Sequence, residues 1–88
     1  MTQQLHNDQE ATYVTYDLAL CCALLCFDFT LAGLETTDQR KVGFMFNDSQ
    51  KLQYAIKQYW DNRLVVNPKD YFNTLKDLKS RIYAHSSI

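Results

Sequence analysis

The amino-acid sequence predicts an α+β domain, a small α-β-β-α-α arrangement with helices packed on one face of an antiparallel hairpin. Three observations predict it. Leu18 to Phe27 is an unbroken run of ten apolar residues. Two runs, FDFTLAGL and RKVGFMF, alternate apolar and polar side chains with period two on either side of ETTDQ. Two later segments carry apolar residues at helical spacing behind N-cap signals.

Taken in order, residues 1–11 are polar and read as a mobile tail, and Tyr13 to Tyr16 are β-branched and aromatic, hence extended. Asp17 is suited to cap a helix over about Asp17–Cys26, its carboxylate accepting from the free amides of the first turn. On that helix Leu20, Leu24 and Phe27 share a bulky face, while Ala19, Ala23 and Cys26 form a narrow small-residue face. A helix apolar all round must be covered all round. Either the hairpin and the later helices sandwich it, or a second copy or a partner closes one side. Ala19, Ala23 and Cys26 are therefore the candidate protein-interface residues.

The alternating runs place Phe27, Phe29 and Leu31 on one side of the first strand. Val42, Phe44 and Phe46 lie on one side of the second. The two glycines, Gly33 and Gly43, stand alone within strands and suit a bulge or a close backbone approach rather than a phosphate cradle. A second helix is expected over about Ser49–Asp61, with Leu52, Ala55, Ile56, Tyr59 and Trp60 inward. Asn67 followed by Pro68 opens a third helix, because proline at the first helical position loses no needed donor. That helix runs to about Tyr83 on a core stripe of Tyr71, Leu75, Leu78 and Ile82. The whole is one domain over residues 12–84, with residues 85–88 a C-terminal tail.

Composition narrows the chemistry. Eighty-eight residues, 47% of them hydrophobic, suffice for one modest core. Ten apolar residues are about half of what spans a bilayer. The start of the chain lacks the basic and apolar regions of a signal peptide. Three cysteines are an odd number for a disulfide framework. A cytoplasmic protein with reduced thiols is expected, with no cofactor. Cys21 and Cys22 are adjacent and diverge by about 100° on a helix, so they cannot face one ion, and His6 and His85 fall in the expected tails. Neither a metal site nor a Cys-x-x-Cys redox pair is expected, and the thiols read as small hydrophobes that let backbones approach. With no phosphate loop and no paired carboxylates, the chain is expected to be non-enzymatic.

Charge is uneven along the chain. Residues 1–49 hold two basic and seven acidic residues, a net −5, whereas residues 50–88 hold seven basic and three acidic, a net +4. On the second helix Tyr54 falls among Lys51 and Lys57. On the third, Lys69, Lys76 and Lys79 fall on one flank beside Phe72 and Tyr83. Cations interleaved with aromatics suit a nucleic-acid backbone and its stacked bases. Lys51, Tyr54, Lys57, Lys69, Lys76 and Lys79 are the candidate nucleic-acid-binding residues. The competing reading is a homodimer or protein adaptor built on the first helix.

The segments YVTYDLALCCALLCFDFTLAGLE, RKVGFMFNDSQKLQYAIKQYW and VNPKDYFNTLKDLKSRIY together resemble a family of short bacterial and phage proteins catalogued only as a domain of unknown function. The shared marks are Tyr13-x-x-x-Asp17-Leu-Ala, Phe44-x-Phe46-x-Asp48-Ser49, the Tyr59-Trp60 pair and the closing Leu78-Lys-x-Arg81-Ile82. The likeness spans about residues 13–83 and rests on core and capping positions, so it implies the fold and carries no active site. The Cys21-Cys22 pair departs from the alanine or leucine usual there, which again suits filler. The phage setting implies a nucleic-acid-associated or host-interaction role by association alone.

Overall fold

The computed structural model describes residues 11–37, 39 and 41–86. Of the expected N-terminal tail only Ala11 falls among them; the rest of that tail lies outside the described residues, as do residues 87 and 88. Six elements follow in chain order: β1 (Thr12–Thr15), α1 (Leu18–Cys26), β2 (Leu31–Thr36), β3 (Val42–Asn47), α2 (Gln50–Trp60) and α3 (Pro68–Ser86). The class is α+β, as the sequence predicts.

The expected hairpin is the β2–β3 pair, and the extended segment at Tyr13 adds a third strand. The antiparallel sheet has the order β1-β3-β2, with Tyr13 opposite Phe46, Thr15 opposite Phe44 and Leu34 also opposite Phe44. Partners directly opposite share a face. Tyr13, Thr15, Leu31, Leu34, Phe44 and Phe46 therefore look toward the helices. Phe44, Phe46 and Leu31 join Leu20, Cys21 and Leu24 of α1, Leu52, Ala55 and Ile56 of α2, and Leu78 of α3 in one core. Burying those apolar groups is the main favourable term in folding.

Both glycines do what their isolation in strands suggests. The register slips between Leu31 and Gly33, a bulge that re-aims the start of β2. At Gly43 an added Cβ would stand 2.9 Å from both Glu35 and Tyr16 and 3.1 Å from Val14. Any side chain there would force the neighbouring side chains to shift.

α1 is the central helix. Asp17 caps it, its carboxylate accepting from Ala19 N at 2.9 Å and Leu20 N at 3.2 Å. Residues Leu20 to Leu24 are buried, and α1 packs against β1, α2 and α3. The small-residue face meets α3 of the same chain. Ala23 is buried, Ala19 and Cys26 are half-buried, and the Cys26 thiol lies 3.7 Å from the Thr74 hydroxyl.

The first expected strand needs correction. Phe27 and Phe29 are not strand residues, because α1 ends in a tight cap instead of running into extended chain. Asp28 adopts a left-handed conformation, φ 68°, and its amide bonds Leu25 O while that of Phe29 bonds Leu24 O. These are the two hydrogen bonds of a Schellman ending. α2 closes the same way: Asn62 has φ 62°, its amide bonds Tyr59 O, and that of Arg63 bonds Gln58 O at 2.8 Å. Trp60, expected inward, is 60% exposed, because at 100° per residue it falls about 90° from the centre of the stripe formed by Leu52, Ala55, Ile56 and Tyr59. Its ring packs edge-on against Tyr59.

α3 runs to Ser86, beyond the expected end at Tyr83. His85, assigned above to a tail, lies in its last turn and shares a 2.9 Å hydrogen bond with the Thr36 hydroxyl. Asn67 is the expected cap, accepting from Lys69 N and Asp70 N. Among the described residues no helix is long and apolar enough to cross a membrane.

Candidate nucleic-acid interface

Helical geometry gathers the α3 candidates. At 100° per residue, positions 69, 72, 76, 79 and 83 fall within a sector about 80° wide and about 21 Å long. All five are exposed, Phe72 by 59% and Tyr83 by 81%. Neither aromatic is a rim residue of the core. Asp70 and Asp77 project from the other flank, about 120–140° from the centre of the stripe. The stripe reads cation, aromatic, cation, cation, aromatic, with no acid in it. The Lys76 ammonium already sits 5.5 Å from the centroid of the Phe72 ring, a cation–π arrangement that holds both groups at the surface.

On α2 the candidates differ in availability. Tyr54 is 67% exposed. Lys51 has no carboxylate within salt-bridge reach among the described residues, whereas Lys57 lies 3.1 Å from Asp61 one turn on. An exposed i,i+4 pair of this kind is weak, yet it offsets the charge that Lys57 would present to a phosphate.

Sequence reasoning missed the groove beside Tyr54. It is lined by Phe27, Phe29, Tyr54, Ala55 and Leu64 together with the polar residues Gln50, Lys51 and Gln58. The alternation Phe27-Asp28-Phe29 imitates a strand, which conceals the helix cap that leaves Phe27 exposed and sets Phe29 partly buried against the core. A second groove, between α1 and α3, is lined by Leu18, Lys79, Ser80, Ile82 and Tyr83.

The thiols lie elsewhere. Cys21 and Cys22 are wholly buried, and loss of water pushes their pKa values up to about 12 and about 11 respectively. Near neutrality both are protonated, the inert state for nucleophilic or metal chemistry. The Cys22 thiol donates weakly to Tyr71 O at 3.5 Å, fastening α1 to α3. Among the described residues no three His, Cys, Asp or Glu side chains gather as metal ligands.

The fold and this surface define a small α+β module with a buried, thiol-bearing central helix and an outward face of cations and aromatic rings. The chain belongs to the family described as Domain of unknown function (DUF5659), whose model matches residues 10–84. No curated protein and no solved structure matches it.

Proposed function

We propose that this chain is a non-enzymatic module that binds nucleic acid through the exposed stripe Lys69–Phe72–Lys76–Lys79–Tyr83, aided by Lys51 and Tyr54. The observation that carries the reading is the segregation on α3: three cations and two exposed rings on one flank, both acids on the other. Cations neutralise phosphates and release their counterions, and the rings supply surfaces on which unpaired bases stack. Lys57 contributes less because Asp61 shares its charge. The burial and protonation of Cys21 and Cys22 support a packing role for these thiols over nucleophilic chemistry. The free state of all three cysteines supports a reducing, cytoplasmic setting.

A homodimer or adaptor docking on Ala19, Ala23 and Cys26 has less support, because α3 of the same chain already lies against that face.

The test is the anisotropy of a labelled single-stranded oligonucleotide titrated with the protein at several salt concentrations. Four engaged lysines, Lys51, Lys69, Lys76 and Lys79, predict that affinity falls roughly 50-fold between 50 and 200 mM salt. A flat salt response, or no binding at low salt, removes the proposal.

A further inference from the structure

We propose that the groove between Phe27, Phe29 and the outer face of α2 receives one unpaired nucleobase, stacked on aromatic rings and hydrogen-bonded by Gln50 and Gln58. This inference rests on the nucleic-acid reading above and deepens it, from phosphate attraction and sequence-tolerant stacking to hydrogen-bonded recognition of one base.

Three observations carry it. Gln50, Tyr54 and Gln58 stand four residues apart on α2, so they form a single ridge with the ring between the two amides. Neither glutamine side chain makes a hydrogen bond to a described residue, although Gln53 on the adjoining row is tied to Asp48 at 2.9 Å. Each of the two therefore offers a donor and an acceptor side by side, the pattern that complements a base edge.

Facing the ridge are Phe27, 42% exposed, and Phe29, half-buried. They flank the left-handed Asp28, and Leu64, two residues past the left-handed cap at Asn62, also lines the groove. The groove thus lies between the end of α1, the outer face of α2 and the chain that follows α2. Its volume is roughly 500 Å³, within the range that small planar ligands occupy. Lys51 also lines it, a cation available to the phosphate next to the inserted base. Aromatic walls, free amides and one cation match a nucleotide better than a greasy peptide side chain, which would leave both amides unused.

The experiment compares three probes of equal length on the full chain: a single-stranded oligonucleotide, an abasic deoxyribose-phosphate strand and a duplex. Binding is followed by anisotropy and by the side-chain amide NMR signals of Gln50 and Gln58. The base-bearing strand is expected to bind about ten-fold or more tighter than the abasic strand, the scale that base–aromatic stacking gives, and tighter than the duplex. Its addition moves both glutamine amide signals. Gln50→Ala and Gln58→Ala, shown by circular dichroism to keep the fold, should each cut that preference severalfold while the abasic affinity stays put. Equal affinity for base-bearing and abasic strands overturns the groove assignment, and base stacking on Phe72 and Tyr83 with it, and leaves only the stripe's phosphate contacts standing. Failure of every strand to bind at low salt overturns both. Movement of the amides by a phenylalanine-containing peptide and by no strand assigns the groove to a protein partner and overturns the base reading.

Discussion

The Tyr16 hydroxyl donates a 2.7 Å hydrogen bond to the Glu35 carboxylate, and the two side chains meet over Gly43. Glu35 is the register partner of Gly43 on one side, and Tyr16 follows β1 on the other. A ring and a carboxylate thus roof a bare stretch of the central strand on the sheet face away from the helices. Gly43 is buried for that reason, despite lying opposite the core. Cross-strand cover of a glycine by an aromatic ring helps to pin register.

Gly43→Ala tests this arrangement. The new methyl would press within 2.9 Å of both neighbours, and overpacking of this sort costs about 1–3 kcal/mol. Urea unfolding should show a lower midpoint at unchanged slope. A variant as stable as the parent would mean that the roof yields freely.

The same pair sets a pH dependence. By accepting the hydrogen bond, Glu35 raises the Tyr16 pKa above its ordinary value of 10.0, with burial and the carboxylate charge adding to the effect. The folded value exceeds the unfolded one, so the contribution to stability is fully present below pH ~10 and is lost as pH rises through the raised value. Glu35→Gln should lower the Tyr16 midpoint, read by tyrosine-resolved NMR titration. An unmoved midpoint would contradict the pairing.

The thiols give a third prediction. Cys21 at about 12 and Cys22 at about 11 are protonated at pH 8, and both are enclosed. A thiol-specific disulfide reagent at that pH should modify at most Cys26 in the native protein, and all three residues once guanidinium unfolds it. Their raised values also mean that stability is held below pH ~9 and falls as pH climbs through 11 and 12. Rapid native labelling of Cys21 or Cys22 would contradict their role as packing.

Much of this fold is legible in the sequence. Asp17, Ser49 and Asn67 announce their helices, because short polar side chains satisfy amides that nothing local can reach. Val42, Phe44 and Phe46 alternate correctly, since β3 is central and buries one whole face. The ending of α1 is not legible. Phe27-Asp28-Phe29 obeys strand periodicity, yet a left-handed cap at an aspartate leaves no glycine to mark it. The lysine stripe of α3 can be read from spacing alone, whereas the groove beside Tyr54 depends on the residues after α1 lying beside the outer face of α2 in space.

Those caps supply a fourth prediction. Asp28 and Asn62 hold positive φ angles that glycine adopts without a side-chain penalty. Asp28→Gly should stabilise by about 0.5–1 kcal/mol, the steric cost of the left-handed region less glycine's extra freedom when unfolded. Thermal melts should show a rise of a few degrees. A fall would mean that the Asp28 side chain does something more than tolerate its backbone.

The most direct measurement of the central claim is the salt dependence of single-strand binding for the double variant Lys76→Ala/Lys79→Ala beside the parent and Arg81→Ala. Removing two phosphate contacts should reduce the slope of log affinity against log salt by about 1.4. Arg81, off the stripe on the acidic flank, should leave the slope as it is. An unchanged slope in the double variant, or an equal loss in Arg81→Ala, would contradict the assignment of the α3 stripe as the nucleic-acid face.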